Sequence, residues 1–156
     1  MRLVFLGDIV GRSGREAVLR HLPLIREHLA PDLIVANGEN AAGGFGITDK
    51  IARDFYQAGI HCLTTGNHVW DQKETLGVID QDPRLLRPLN YPEGSPGRGL
   101  VRLETADGRR VVVVNLMARL FMESLDNPFV SAARALQPYP LGREADAILV
   151  DFHGEA

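Results

Sequence analysis

Four short polar clusters, each directly after an apolar run, carry the residues of this chain that can do chemistry. Leu3-Val4-Phe5-Leu6 runs into Gly7-Asp8, and Leu33-Ile34-Val35-Ala36 runs into Asn37-Gly38-Glu39-Asn40. Cys62-Leu63-Thr64-Thr65 runs into Gly66-Asn67-His68, and Ala147-Ile148-Leu149-Val150 into Asp151-Phe152-His153. Taken singly, each cluster has an ordinary explanation. Asp8 is a residue type that caps helices, Glu39 and Asn40 sit in an Asn-Gly turn, and a lone His153 is commonly structural. Taken together, Asp8, Glu39, Asn40, Asn67, His68 and His153 offer carboxylates, amides and imidazoles without thiolates. That donor set suits manganese, iron or similar ions at higher coordination number better than a closed structural zinc site.

Two such ions, bridged by a carboxylate and a hydroxide, suit phosphate-ester hydrolysis, because together they activate water and clamp the attacking and leaving oxygens. Glu39, from a central strand end, is the natural bridge. Asp8 and Asn40 then complete one ion, and Asn67 and His153 the other. Adjacent side chains diverge, so His68 stays off the metals. It is placed to protonate the leaving oxygen or stabilise developing charge. His21, His28 and His61 have no clustered partners and read as structural.

The elements that position these residues alternate between strand and helix. In α/β folds ligand chemistry gathers at the carboxyl ends of strands. After Asp8, a turn around Gly11 and Gly14 leads into a helix from Glu16 to Leu29, with Val18, Leu19, Leu22, Ile25 and Leu29 at helical spacing and a kink or break at Pro23. Gly43-Gly44-Phe45-Gly46 is a flexible loop. Thr48 caps a helix from Asp49 to Ala58 that stops at Gly59. Asp71 caps a short helix through Ile79, and Pro88 to Gly99 is a loop. Leu100–Glu104 and Arg110–Leu116 flank Ala106-Asp107-Gly108 as a hairpin. Pro128 opens a helix over 127–136, and the last strand spans 147–152. Parallel βαβ units thus come first, and an antiparallel hairpin with one further strand follows.

A length of 156 residues bounds this to one domain with a real core. Apolar residues at 45% and charged residues at 24% are ordinary for a soluble globular chain, and a net charge of −3 predicts no long nucleic acid as partner. The single Cys62 excludes an internal disulfide and a thiolate cluster, and its apolar setting predicts a buried thiol. No signal-peptide pattern and no run of membrane-spanning length is present, so a cytoplasmic location is expected.

Gly7-Asp8-Ile9-Val10-Gly11-Arg12, the run from Asn37 to Gly44, Gly66-Asn67-His68-Val69-Trp70-Asp71 and Asp151-Phe152-His153 resemble the motifs of the YmdB-like calcineurin-type metallophosphoesterases. The resemblance runs from residue 2 to the chain end, and its two middle motifs are highly specific. It implies a metal-lined β-sandwich flanked by helices (αββα) and a dinuclear phosphodiesterase. The implied substrate is a 2′,3′- or 3′,5′-cyclic nucleotide, and the chain is expected to work alone or as a homo-oligomer. Val10 stands where the wider superfamily has a histidine, and Glu39 where it has a bridging aspartate. Both departures fit the YmdB-like branch.

The family pattern also has a later Gly-Thr-His-Thr-His-like segment with two further metal-binding histidines. This sequence ends at Glu155-Ala156 without one. The expectation is therefore an N-terminal fragment of the domain, with one ligand missing at each ion and feeble or no turnover. Two other readings compete. Gly7, Gly11 and Gly14 after a first strand are similar to a dinucleotide-binding turn. However, the spacing is not G-x-G-x-x-G, and Asp8 would face a pyrophosphate. The other is a non-catalytic remnant of the fold.

Overall fold

The computed structural model describes residues 1–122 and 125–154. The chain end at Glu155-Ala156, where the sequence reading places a truncation, lies outside the described residues. Two sheets face each other. The first is fully parallel, in the order β1 (Leu3–Leu6), β2 (Leu33–Asn37), β3 (Cys62–Thr64) and β4 (Leu85–Leu86). The second holds β5 (Leu100–Glu104), β6 (Arg110–Met117) and β7 (Ala147–His153), with β5 antiparallel and β7 parallel to β6.

Period-two alternation divides the core. Leu33 and Val35 of β2 point between the sheets, where they meet Cys62, Leu86, Val111 and Val113. Ile34 and Ala36 point the other way, into a cluster with Leu22 of α1 (Gly11–Leu29) and Ala52 and Phe55 of α2 (Asp49–Ala58). On the outer face of the second sheet, Val112, Val114 and Leu116 pack with Ala132 and Leu136 of α4 (Pro128–Leu136). Strands β2 and β6 are covered on both faces, which is why they read as unbroken apolar runs. The layers are helix, sheet, sheet, helix: the αββα sandwich that the resemblance implies.

The first helix departs from expectation. It starts at Gly11 and continues through Pro23 to Leu29, so Pro23 costs a backbone hydrogen bond without ending the helix. Burial of Leu22 and the packing of Val18 against the core hold that face in place. Asp8 does not cap this helix. The N-cap is Val10, without a side-chain cap. The short third helix, α3, spans only Thr75–Val78 and is not capped by Asp71. Strand β4 has two residues and carries no sequence pattern that announces it. Thr48 does cap α2, accepting the Ile51 N–H at 3.2 Å, and Gly59 ends it at φ 106°. The hairpin forms as expected, with Gly108 at φ 82° in its turn. Asn127 caps α4 by accepting the N–H groups of Phe129 and Val130. Among the described residues, no helix is long and apolar enough to cross a membrane.

Candidate metal centre

Because β1, β2 and β3 are parallel and adjacent, their carboxyl ends open on one edge. Asp8 follows β1, Glu39 and Asn40 follow β2, and Asn67 and His68 follow β3. The second sheet brings His153, the last residue of β7, to the same edge. A turn closed by the Ala41 N–H on the Gly38 carbonyl, at 3.0 Å, presents Glu39 and Asn40 side by side. The turn expected from Asn37-Gly38 and the site are therefore one feature.

Five of the six candidate residues form one continuous chain of polar contacts. The Asn40 Nδ2 group donates to Asp8 Oδ2 at 2.7 Å and to Glu39 Oε1 at 3.2 Å. Glu39 Oε1 lies 2.9 Å from His153 Nε2, which is also 3.1 Å from Asn67 Oδ1. Glu39 is thus the central member, with Asp8 and Asn40 on one side and His153 and Asn67 on the other. The Glu39 carboxylate, the largest influence, holds the His153 pKa above its ordinary value, against the opposing effect of burial.

Glu39 is 2% exposed, and its Oε2 is buried with no hydrogen-bond partner. A buried carboxylate oxygen without a donor is costly and calls for an explanation. Gly66 makes room for it: a Cβ there would run into Glu39 Oε2 and stand 2.5 Å from His153 Cδ2. An open cleft of about 480 Å³ adjoins this edge, with Asp8, Asn37, Asp151 and His153 in its wall. Among the described residues, no group of three or more His, Cys, Asp and Glu side chains is gathered as a metal-holding cluster. What gathers instead alternates carboxylates and imidazole with amides. This donor chemistry, with a free buried oxygen at its middle, fits a hard divalent cation.

His68 stands apart. Its Nδ1 is 2.7 Å from Asp71 Oδ2, and its ring meets Phe45 edge-on at 5.1 Å between centroids. Asp71, read from sequence as a helix cap, is the partner of this imidazole. The remaining histidines lie elsewhere: His21 and His28 are exposed on α1, and His61 Nδ1 accepts the Ile34 N–H at 3.0 Å. Cys62 is buried, and burial pushes its thiol pKa up, as befits a core residue rather than a nucleophile.

Sequence reasoning missed the polar layer beneath the site. Asp151 Oδ2 accepts from Asn37 Nδ2 at 2.9 Å and from Thr64 Oγ1 at 2.5 Å. Asn115 Oδ1 accepts the Thr65 N–H at 3.0 Å. Polar residues at or near the ends of apolar strands, Asn37 and Thr64 at the ends of β2 and β3 and Asn115 and Asp151 two residues before the ends of β6 and β7, were the available signal.

A model of the YmdB-like protein family matches residues 4–156. The chain belongs to the YmdB-like family. It is 41% identical over its whole length to a 2′,3′-cyclic-nucleotide 2′-phosphodiesterase of Bacillus subtilis, and covers 58% of that protein. A crystal structure of a hypothetical protein from Thermus thermophilus superposes with TM-score 0.89 at 42% identity, over all of this chain and 59% of the other. A phosphatase from Mycoplasma pneumoniae superposes with TM-score 0.88 at 29% identity, over 99% of this chain and 55% of the other. The chain thus spans less than two thirds of the length of these relatives.

Proposed function

We propose that the protein is a metal-dependent phosphodiesterase acting on cyclic nucleotides, with two iron or manganese ions held at the edge of the sheets. The observation that carries this reading is Glu39: a buried carboxylate with one free oxygen, joined to Asp8 and Asn40 on one side and to His153 and Asn67 on the other. Bound there, the ions would lower the pKa of water and neutralise charge on the phosphate oxygens. Asp8, Asn40 and Glu39 are the residues for one ion, and Glu39, Asn67 and His153 for the other. The resemblance to the Bacillus subtilis enzyme supports a cyclic nucleotide as the substrate.

The chain's own contribution to proton transfer is His68. With Nδ1 directed to Asp71, the Nε2 atom is the one left for substrate. Hydrolysis adds the oxygen of water to phosphorus and breaks the bond to a ribose oxygen. His68 gives its Nε2 proton to that leaving oxygen and is then reprotonated from solvent. Asp71 fixes the orientation of the ring, and Phe45 covers one edge of it.

The test is hydrolysis of 2′,3′-cyclic AMP and bis-p-nitrophenyl phosphate by the full-length protein, with manganese and after chelation. Manganese-dependent turnover that disappears in Glu39→Gln is expected. Turnover unaffected by chelation, or full activity in Glu39→Gln, would overturn the reading.

A further inference from the structure

Glu39 and His153 come from different sheets, so no local backbone geometry sets their separation. Glu39 follows β2 of the first sheet, and His153 ends β7 of the second. The polar layer beneath them spans the gap. Asp151 precedes His153 by two residues, so both side chains leave the same face of β7. Its Oδ2 accepts from Asn37, the last residue of β2, and from Thr64, the last residue of β3. Asn37 in turn accepts the Glu39 backbone N–H on its Oδ1 at 3.1 Å. Asn37 is 3% exposed and Thr64 fully buried, so neither donor can turn to water instead.

We propose that Asp151 is a positioning residue. Through Asn37 and Thr64 it ties the end of β7 to the ends of β2 and β3, and so sets His153 against Glu39. One strand and two hydrogen bonds in series make the link: His153 stands on the strand Asp151 anchors, Asp151 holds Asn37, and Asn37 holds the Glu39 backbone. The inference rests on the reading of Glu39 and His153 as metal-holding residues. The role assigned to Asp151 is exerted through its Oδ2 atom. Its acceptor atom is already engaged by two donors.

Asp151→Ala and Asp151→Asn are compared in the full-length protein, with Thr64→Val as a milder disruption. Three quantities are read: manganese affinity by titration calorimetry, kcat and KM on bis-p-nitrophenyl phosphate, and the crystallographic separation of His153 Nε2 from Glu39 Oε1, 2.9 Å here. Asp151→Ala is expected to weaken manganese binding by about 10- to 100-fold, the usual range for a lost supporting contact. It should lower kcat more than it raises KM, and lengthen the separation. Asp151→Asn keeps an oxygen for both donors and should restore affinity to within about threefold of wild type, on the same supporting-contact scale. Thr64→Val should fall between the two.

A folded Asp151→Ala with wild-type affinity, kcat and separation overturns the proposal. So does an Asp151→Asn as impaired as Asp151→Ala, because the charge and not the position would then matter. If Asp151→Ala fails to fold, wild-type affinity in Thr64→Val overturns it instead. A wild-type protein that binds no manganese, or cleaves no diester, overturns the functional reading alone. The separation in the variants then still decides the positioning role.

Discussion

Glu39 and Gly66 define the centre at the scale of single residues. The buried Oε2 of Glu39 occupies the space that any side chain at position 66 would fill. Gly66→Ala is therefore expected to displace the carboxylate and abolish manganese binding while leaving the apolar core intact. Metal content after dialysis and a thermal melt of the metal-free protein check this together. Retained manganese at wild-type stoichiometry would contradict it. His68 makes a separate prediction, since it contacts Asp71 and Phe45 rather than Glu39. His68→Ala should cut turnover by about 10²–10⁴-fold, the contribution of a positioned acid, with metal content nearly unchanged. Asp71→Asn should act in the same direction and more weakly. Loss of metal in His68→Ala would instead make His68 a ligand.

At the scale of elements, two contacts anchor the units that carry the strand ends. Thr48 caps α2, which packs Ala52 and Phe55 into the core. Thr48→Ala should destabilise the protein by about 1 kcal/mol, the usual cost of a lost N-cap, readable in urea unfolding. His61 leads into β3 and accepts the Ile34 N–H of β2 on Nδ1, a bond that needs the neutral ring. Burial, aided by Arg26 and Arg84, lowers its pKa from the ordinary value of 6.5. The unfolded chain keeps that ordinary value and binds the proton first as the pH falls. The contribution of His61 is thus complete above the ordinary value and is lost as the pH drops through the depressed folded one. The stability gap between wild type and His61→Gln should narrow from about pH 8 to about pH 5. Parallel curves would show that the ring does not titrate differently in the folded state.

For the whole molecule, the proposed cation site lies where two sheets meet at one polar edge, so it is assembled only in the folded chain. An ion that binds the native state alone stabilises it, by about 2.7 kcal/mol at about 100 times its Kd. Manganese should raise the melting temperature of the full-length protein, and chelation should lower it again. Glu39→Gln should abolish that response. An equal shift in Glu39→Gln would place the binding elsewhere. Asp8, exposed at the rim, lies nearer solvent than Glu39, so Asp8→Ala should shrink the shift without removing it.

Much of this protein was legible in its sequence because local rules govern those parts. The alternation of apolar runs with helical patterns marked β1, β2, β3 and β7, and the cap Thr48 and the first-turn proline Pro128 marked the starts of α2 and α4. Polar residues just past apolar runs marked the candidate site, since strand ends are where backbone pairing stops and side chains face a cleft. Other features follow no such local rule. Pro23 does not break α1, because tertiary burial of Leu22 outweighs a single lost hydrogen bond. Asp71 pairs with His68 and caps no helix, because the chain after Gly66 folds back on itself. The two residues of β4 are too few to show a period of two. The bond from Asn37 to Asp151 joins positions 114 apart, and no spacing rule reaches that far. Residue types by themselves named the candidate donors; only the facing of two sheets decided that Glu39 and His153 would meet.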